Sequence, residues 1–310
     1  MFARIFAIAM NAYRESVRAR VLYGLFGLAL ATSFYAVIVG KLSLHHEARV
    51  IADLGASSIS LYAVLVAIVV SATSLHRELE LKTIFPILTR PLRRHEYLVG
   101  KYFGTLATLG VFVAIDAAAI LILLALETGQ APWKVGATVA FLSVVLVVTL
   151  VRAKYTRVFV LIPWAAALVL AAYLLASAAG GDRQLVVTSA VLTICEVSIV
   201  AALATLFASF SSPFLTTIFT IGIFLVGRSA DTLANLPART FGQEVRVGGK
   251  VLAHVFPNLH VYVPARPLLL GEVADVPVWP YVGSAAAHAL FYATALLTLS
   301  ALIFRKRDFQ

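Results

Sequence analysis

The chain has 310 residues, of which 61% are hydrophobic and only 13% charged, and its mean hydropathy is +0.94. Water-soluble chains carry roughly 25% charged residues, so a pair of soluble domains is excluded and an integral membrane protein is expected. The formal net charge of +10 does not point to nucleic acid, because the basic residues are dispersed between apolar runs rather than gathered on one soluble face. The single cysteine, Cys195, lies inside an apolar run, which excludes an intramolecular disulfide, a redox pair and a cysteine-rich zinc site.

Residues 1–20 lack an apolar core followed by a small-residue cleavage site, so a cleaved signal peptide is not expected. Phe2, Ile5, Phe6, Ala9, Tyr13 and Val17 recur at helical spacing, while Arg4, Asn11, Arg14, Glu15 and Arg18 fall largely elsewhere around the wheel. That pattern predicts an amphipathic helix lying in the headgroup plane and leading into the first span.

Eight apolar runs follow that are candidates to cross about 30 Å of hydrocarbon: 21–40, 55–75, 102–126, 135–151, 158–179, 185–207, 213–227 and 282–304. The seventh is short, and Pro213 suits a first helical turn, where its missing N–H costs nothing. The fold class expected is an all-α integral membrane protein with about eight transmembrane helices. Sixteen of the 25 lysines and arginines fall on segments 1–20, 76–101, 152–157, 208–212 and 305–310, and nine on the longer opposite set. Cationic side chains resist translocation, so both termini are expected in the cytoplasm, and the excess basic charge is expected to meet anionic lipid headgroups.

The loop 76–101 pairs Glu78 with Lys82 in the favourable i,i+4 order, carries Leu81, Ile84, Phe85 and Leu88 as an apolar stripe, and is framed by Pro86 and Pro91. A short helix projecting into the cytoplasm suits a groove on a soluble partner; a connector lying on the membrane is the alternative. Segment 228–281 is expected to form short helices or re-entrant turns against the outer ends of the spans, where protein covers the irregular backbone.

No G-x-x-x-x-G-K-[ST] occurs, so no P-loop for ATP is expected in this chain. G-x-S-x-G and a zincin pair are absent too. Ser284 and His288 are four apart on the last span, where an internal hydrogen bond in a packed helix is the simpler reading, and no catalytic or metal-binding set is expected. Asp116 and Glu196 fall near the middle of their spans, where ionised carboxylates are costly; a substrate path, a proton relay and interhelical hydrogen bonding are all open to them. Gly100 and Gly104 form a G-x-x-x-G pair suited to close helix approach.

The run Arg77-Glu78-x-Glu80-x-x-Thr83-Ile84-x-x-Ile87-Leu88-Thr89-x-Pro91-Leu92-x-Arg94-x-Glu96-Tyr97-Leu98-x-Gly100-Lys101 resembles the coupling segment of ABC-2 type transporter permeases. Weaker likenesses lie at Asn11-x-x-Arg14-Glu15, Phe207-Ala-Ser-Phe-Ser-Ser-Pro213, Phe256-Pro-Asn-Leu259 and Phe304-Arg-Lys-Arg-Asp-Phe309. The resemblance implies an ABC-2 transmembrane domain over 21–310, in which 135–179 is a hairpin added to a six-span core. It also implies the permease subunit of an exporter in the cytoplasmic (inner) membrane, paired with a second permease subunit. ATP-Mg would be held by a separate cytoplasmic ATPase. Glu78, Glu80, Arg90, Arg93 and Arg94 would then supply polar contacts to the ATPase, and Ile84, Phe85 and Leu88 an apolar anchor. A proton-coupled secondary transporter working through Asp116 and Glu196 is the rival reading.

Overall fold

A computed structural model describes residues 2–43, 46–80, 94–153, 156–237, 242–272 and 277–306, apart from the side chains of 75–80, 94, 254 and 306. All the regular structure in these residues is helical. The first helix, α1 (Phe2–Val17), is followed by α2 (Arg20–Leu42), α3 (Glu47–Glu80), α4 (Arg94–Glu127) and α5 (Pro132–Arg152). A 3₁₀ turn then leads into α6 (Leu161–Leu175), α7 (Gly181–Ala208) and α8 (Pro213–Arg228). Beyond α8 lie α9 (Ala230–Ala234), α10 (Gln243–Val255), a 3₁₀ turn at His260–Tyr262, α11 (Arg266–Leu270) and the long closing helix α12 (Val278–Lys306).

Every apolar run of the sequence forms a helix, and seven of these are long and apolar enough to cross a membrane. The exception is α8, whose 16 residues reach about 24 Å at 1.5 Å per residue, short of the ~30 Å hydrocarbon layer. Its start follows the expectation: Pro213 occupies the first turn and the Ser212 hydroxyl caps it by accepting from the Leu215 N–H. In the opposite sense, α3 and α4 have 34 residues each, about 51 Å, and extend well past a bilayer.

The centre of the bundle is the trio α3, α4 and α7, which pack on one another. Ala63, Val66, Ala67, Leu109, Val113, Leu121, Val200 and Ala201 are fully or almost fully buried there. Around it α2 packs on α3, α6 on α4, α12 on α7, and α8 on α7 and α3. The hairpin α5–α6 is peripheral: only Val135 of α5 is buried, while Phe141, Val144, Val147 and Val151 face outward, as a lipid-facing surface requires. The Trp164 indole N–H, donating to the Leu142 carbonyl at 2.9 Å, holds the hairpin's two arms together.

The N-terminal helix forms, but its apolar surface is divided. Ala12, Tyr13, Ser16 and Val17 are buried, whereas Phe2 and Phe6 are 86% and 65% exposed, so the two phenylalanines of the predicted stripe point away from the protein. The inner face is dictated by the glycine pair of α4. A Cβ at Gly100 would come within 2.7 Å of the Ile8 Cβ, and one at Gly104 within 2.4 Å of the Ala9 carbonyl oxygen. Only glycine lets these backbones meet so closely. Tyr13 then reaches across to the 3₁₀ turn that precedes α6, where its hydroxyl donates to the Val158 carbonyl at 3.2 Å and its ring stacks on Phe159. Burial pushes its phenol up to about 12. Beside it, Tyr97, Leu98, Ala208 and Phe304 form a small cluster with Ile8, joining α1 to the ends of α4, α7 and α12.

This contact makes a sharp contrast between two glycines of α4. Gly104→Leu should lower the unfolding free energy by about 1–3 kcal/mol through overpacking against α1. Gly110→Ala, where an added Cβ meets nothing within 4 Å, should leave stability unchanged or raise it by up to ~1 kcal/mol through helix propensity. Denaturant titration of the two variants in the same detergent measures both.

Candidate functional site

Polar side chains recur on one face of α3 (Asp53, Ser57, Ser60) and one face of α7 (Ser189, Thr193, Glu196), at the three- and four-residue spacings that align side chains along a helix. The two stripes face each other across a cavity of about 260 Å³, which α11 and the turn before it close from the third side with Val263, Pro264, Arg266 and Leu269. Leu185 and Leu269 add apolar wall.

Two of the lining residues, Ser60 and Arg228, belong to a closed ring of three side chains. Glu196 is fully buried. One of its carboxylate oxygens accepts from the Arg228 guanidinium, and the other accepts from the Ser60 hydroxyl at 3.0 Å. Arg228 also donates to the Ser60 oxygen at 3.2 Å. The ring joins α3, α7 and α8, and it offsets much of the cost of burying a carboxylate that a single acidic residue in a span would incur.

Arg228 comes to this place because α8 stops there. Its last turn is seated on the Phe256-Pro-Asn-Leu259 turn: the Leu259 N–H donates to the Gly227 carbonyl at 2.9 Å, and a Cβ on Gly227 would lie 2.6 Å from the Pro257 carbonyl oxygen. A side chain at 227 would push the turn away and the arginine out of register.

The rim is a second ionic knot. Arg266 of α11 donates to Asp53 of α3 and to Asp182 in the first turn of α7. Arg49 lies 3.9 Å from the second Asp53 oxygen. The segment that carries this rim is fastened on its other side to α12, where the Tyr281 hydroxyl donates to the Val261 carbonyl and Tyr262 shares a 2.8 Å hydrogen bond with His288 Nδ1.

The residues singled out from sequence divide among several places. Glu196 lies buried behind the cavity wall, bonded to Arg228 and Ser60, which line it. Asp116 lies elsewhere, buried on α4 with neither carboxylate oxygen partnered among the described residues; Ser33 of α2 faces it, but that hydroxyl donates to the Ala29 carbonyl at 3.1 Å. No hydrogen bond or ion pair among the described residues joins Asp116 to Glu196. Glu78 and Glu80 fall on the last turn of α3 and Arg94 begins α4, so these three stand at the two ends of the loop. Ile84, Phe85, Leu88, Arg90 and Arg93 lie outside the described residues. Ser284 and His288 do not bond to each other: the serine donates to the Tyr281 carbonyl at 2.7 Å, and the histidine is engaged with Tyr262. Arg228, Arg266 and the serine and threonine stripe went unremarked in the sequence. A period of three to four in Ser57, Ser60, Ser189, Thr193 and Glu196 was the signal available.

Neither the protein-family models nor the curated proteins compared with this chain match it.

Arg266 is the only described side chain seen to bridge α11 to both α3 and α7. Arg266→Ala should therefore raise amide exchange across 259–271 by about tenfold or more, as expected when a charged tie to a surface segment is cut. Exchange in the buried parts of α4 and α7 should be unaltered, and hydrogen-exchange mass spectrometry reads both regions in one experiment.

Proposed function

We propose that this chain is the permease subunit of an ATP-driven exporter of the ABC-2 type, working in the cytoplasmic membrane with both termini inside. A second permease subunit would face it across the bilayer, and a separate cytoplasmic ATPase would hold ATP-Mg. The observation that carries this reading is the pair of helices α3 and α4, each about 51 Å long, which come from the centre of the bundle and between them bear residues 81–93. Helices of that length exceed a ~30 Å hydrocarbon layer, which supports a reading in which a soluble partner reaches the segment that joins them. The sequence of that segment is also where the likeness to ABC-2 permeases is most specific.

The packing supplies a route for force. A displacement of 76–101 enters α3 and α4 directly, and α1, held at Gly100 and Gly104, moves with the base of α4. At their far ends the same core helices border the outer cavity: α3 and α7 line it, and α4 packs against both. A partner can shift such an equilibrium only through unequal affinity for its two states. The contact must therefore grip, which is the role assigned to Ile84, Phe85 and Leu88, with Glu78, Glu80, Arg90, Arg93 and Arg94 around them.

The buried carboxyl of Asp116, unpartnered among the described residues, favours the second reading, transport driven by protons through Asp116 and Glu196. The engagement of Glu196 weighs against its taking part in such a relay, since both carboxylate oxygens are already committed, one to Arg228 and one to Ser60.

Phe85→Asp with Leu88→Asp should abolish co-purification with a P-loop ATPase and ATP-dependent export together, while the bundle itself folds. If export persists in that variant and collapses instead with the proton gradient or with Asp116→Asn, the proton-driven reading stands and the ATPase reading fails.

A further inference from the structure

The outer cavity has a chemical character that the transport reading does not use. Its charges are compensated. Arg228 on the floor is met by Glu196, and Arg266 on the rim is met by Asp53 and Asp182, with Arg49 beside Asp53. An anionic ligand would have to compete with three carboxylates for the guanidinium groups, and a cationic one would have to displace the arginines.

What the walls retain is hydrogen-bonding capacity without net charge. A guanidinium offers five N–H donors; Arg228 commits donors to Glu196 and Ser60, and Arg266 to its two aspartates, so each keeps others for the cavity. The Ser189 and Thr193 hydroxyls line the space and make no hydrogen bond among the described residues. Ser57 donates to the Asp53 carbonyl at 2.9 Å, which leaves its oxygen able to accept. Donors and acceptors therefore stand side by side, the arrangement that suits hydroxyl groups, each of which is both. Leu185 and Leu269 give the cavity an apolar wall against which the C–H face of a ring can pack. The volume of about 260 Å³ falls just below the ~300–1,000 Å³ typical of sites for drug-sized ligands, and so holds one small ring rather than an extended chain.

We propose that this outward cavity binds a single uncharged, polyhydroxylated ring, a sugar unit either free or as the headgroup of a glycolipid, through Ser189, Thr193 and the uncommitted N–H groups of Arg228 and Arg266. The sugar ring rests on Arg228 and Ser60, which Glu196 holds from behind, and the α11 rim, held by Arg266, lies over it. The site is independent of any ATPase. A chain that binds sugar but no ATPase would sink the exporter reading and leave this one intact.

The test is saturation-transfer NMR on the full chain in lipid nanodiscs, with methyl glucopyranoside as the free-sugar probe. A second arm uses nanodiscs containing a monoglucosyl diacylglycerol, and inorganic phosphate and glycine betaine serve as anionic and zwitterionic competitors. Transfer to the glucoside ring protons is expected, undisturbed by either competitor. Ser189→Ala and Thr193→Val should each weaken it about fivefold, the usual effect of losing one hydrogen bond, with unfolding midpoints that match the unaltered protein. Binding confined to the glucosyl lipid, with the same sensitivity to both substitutions, also supports the proposal and assigns the lipid as the source. Absence of both signals, displacement by phosphate or betaine, or binding indifferent to both substitutions would overturn it.

Discussion

A carboxylate at the centre of a bilayer is expensive unless something compensates it, and the way Glu196 is compensated governs the cavity-bearing half of this molecule. Its partner, Arg228, has to be delivered to the depth of the bundle, so α8 ends there instead of continuing across. Ser60 has to present its hydroxyl to both, which fixes the rotation of α3 against α7. Buried ion pairs commonly add little net stability, since desolvation offsets their attraction; what they penalise heavily is any arrangement that separates the partners. The ring of Glu196, Arg228 and Ser60 is therefore best understood as a device of specificity: it permits one register of three helices. The Phe256–Leu259 turn, the α11 rim and the cavity beneath it all follow from where α8 stops.

At the other end of the bundle the determinant is shape rather than charge. Gly100 and Gly104 remove side chains where α1 crosses α4, and Tyr13 spans from that contact to the peripheral hairpin. A helix with Phe2 and Phe6 on its open side and a tightly fitted inner side has two surfaces to satisfy, one offered to lipid and one to protein. The two ends of the molecule are thus linked through α3, α4 and α7, the most buried helices in the bundle.

Much of this architecture was legible in the sequence, because membrane helices announce themselves by unbroken apolar runs. All eight runs are helical, the shortness of 213–227 was visible, and the glycine pair lies where close approach was expected. The division of α1 into two apolar faces was not legible, since periodicity reports that residues share a side but not whether protein or lipid meets it. Glu196 stood out as a charge in an apolar run; Arg228, at the edge of one, was indistinguishable from an orientation signal. The serine and threonine stripe was hidden for a physical reason. In helices such residues usually satisfy themselves by bonding back one turn, as Thr32, Thr73 and Thr205 do here, so Ser189 and Thr193 could not be told from them. The ring itself closes over 168 residues between Ser60 and Arg228, beyond the reach of any local pattern.

The dependence of the cavity-bearing half on this single ring can be measured by a double-mutant cycle on unfolding free energy with Glu196→Gln, Arg228→Gln and their combination, in one lipid or detergent system. Close, desolvated charge pairs give coupling energies of about 1.5 kcal/mol or more. A coupling of at least that size is expected, with the double variant more stable than the sum of the two single losses implies. Strictly additive losses would mean that Glu196 and Arg228 do not depend on each other, and would contradict the role given to them here.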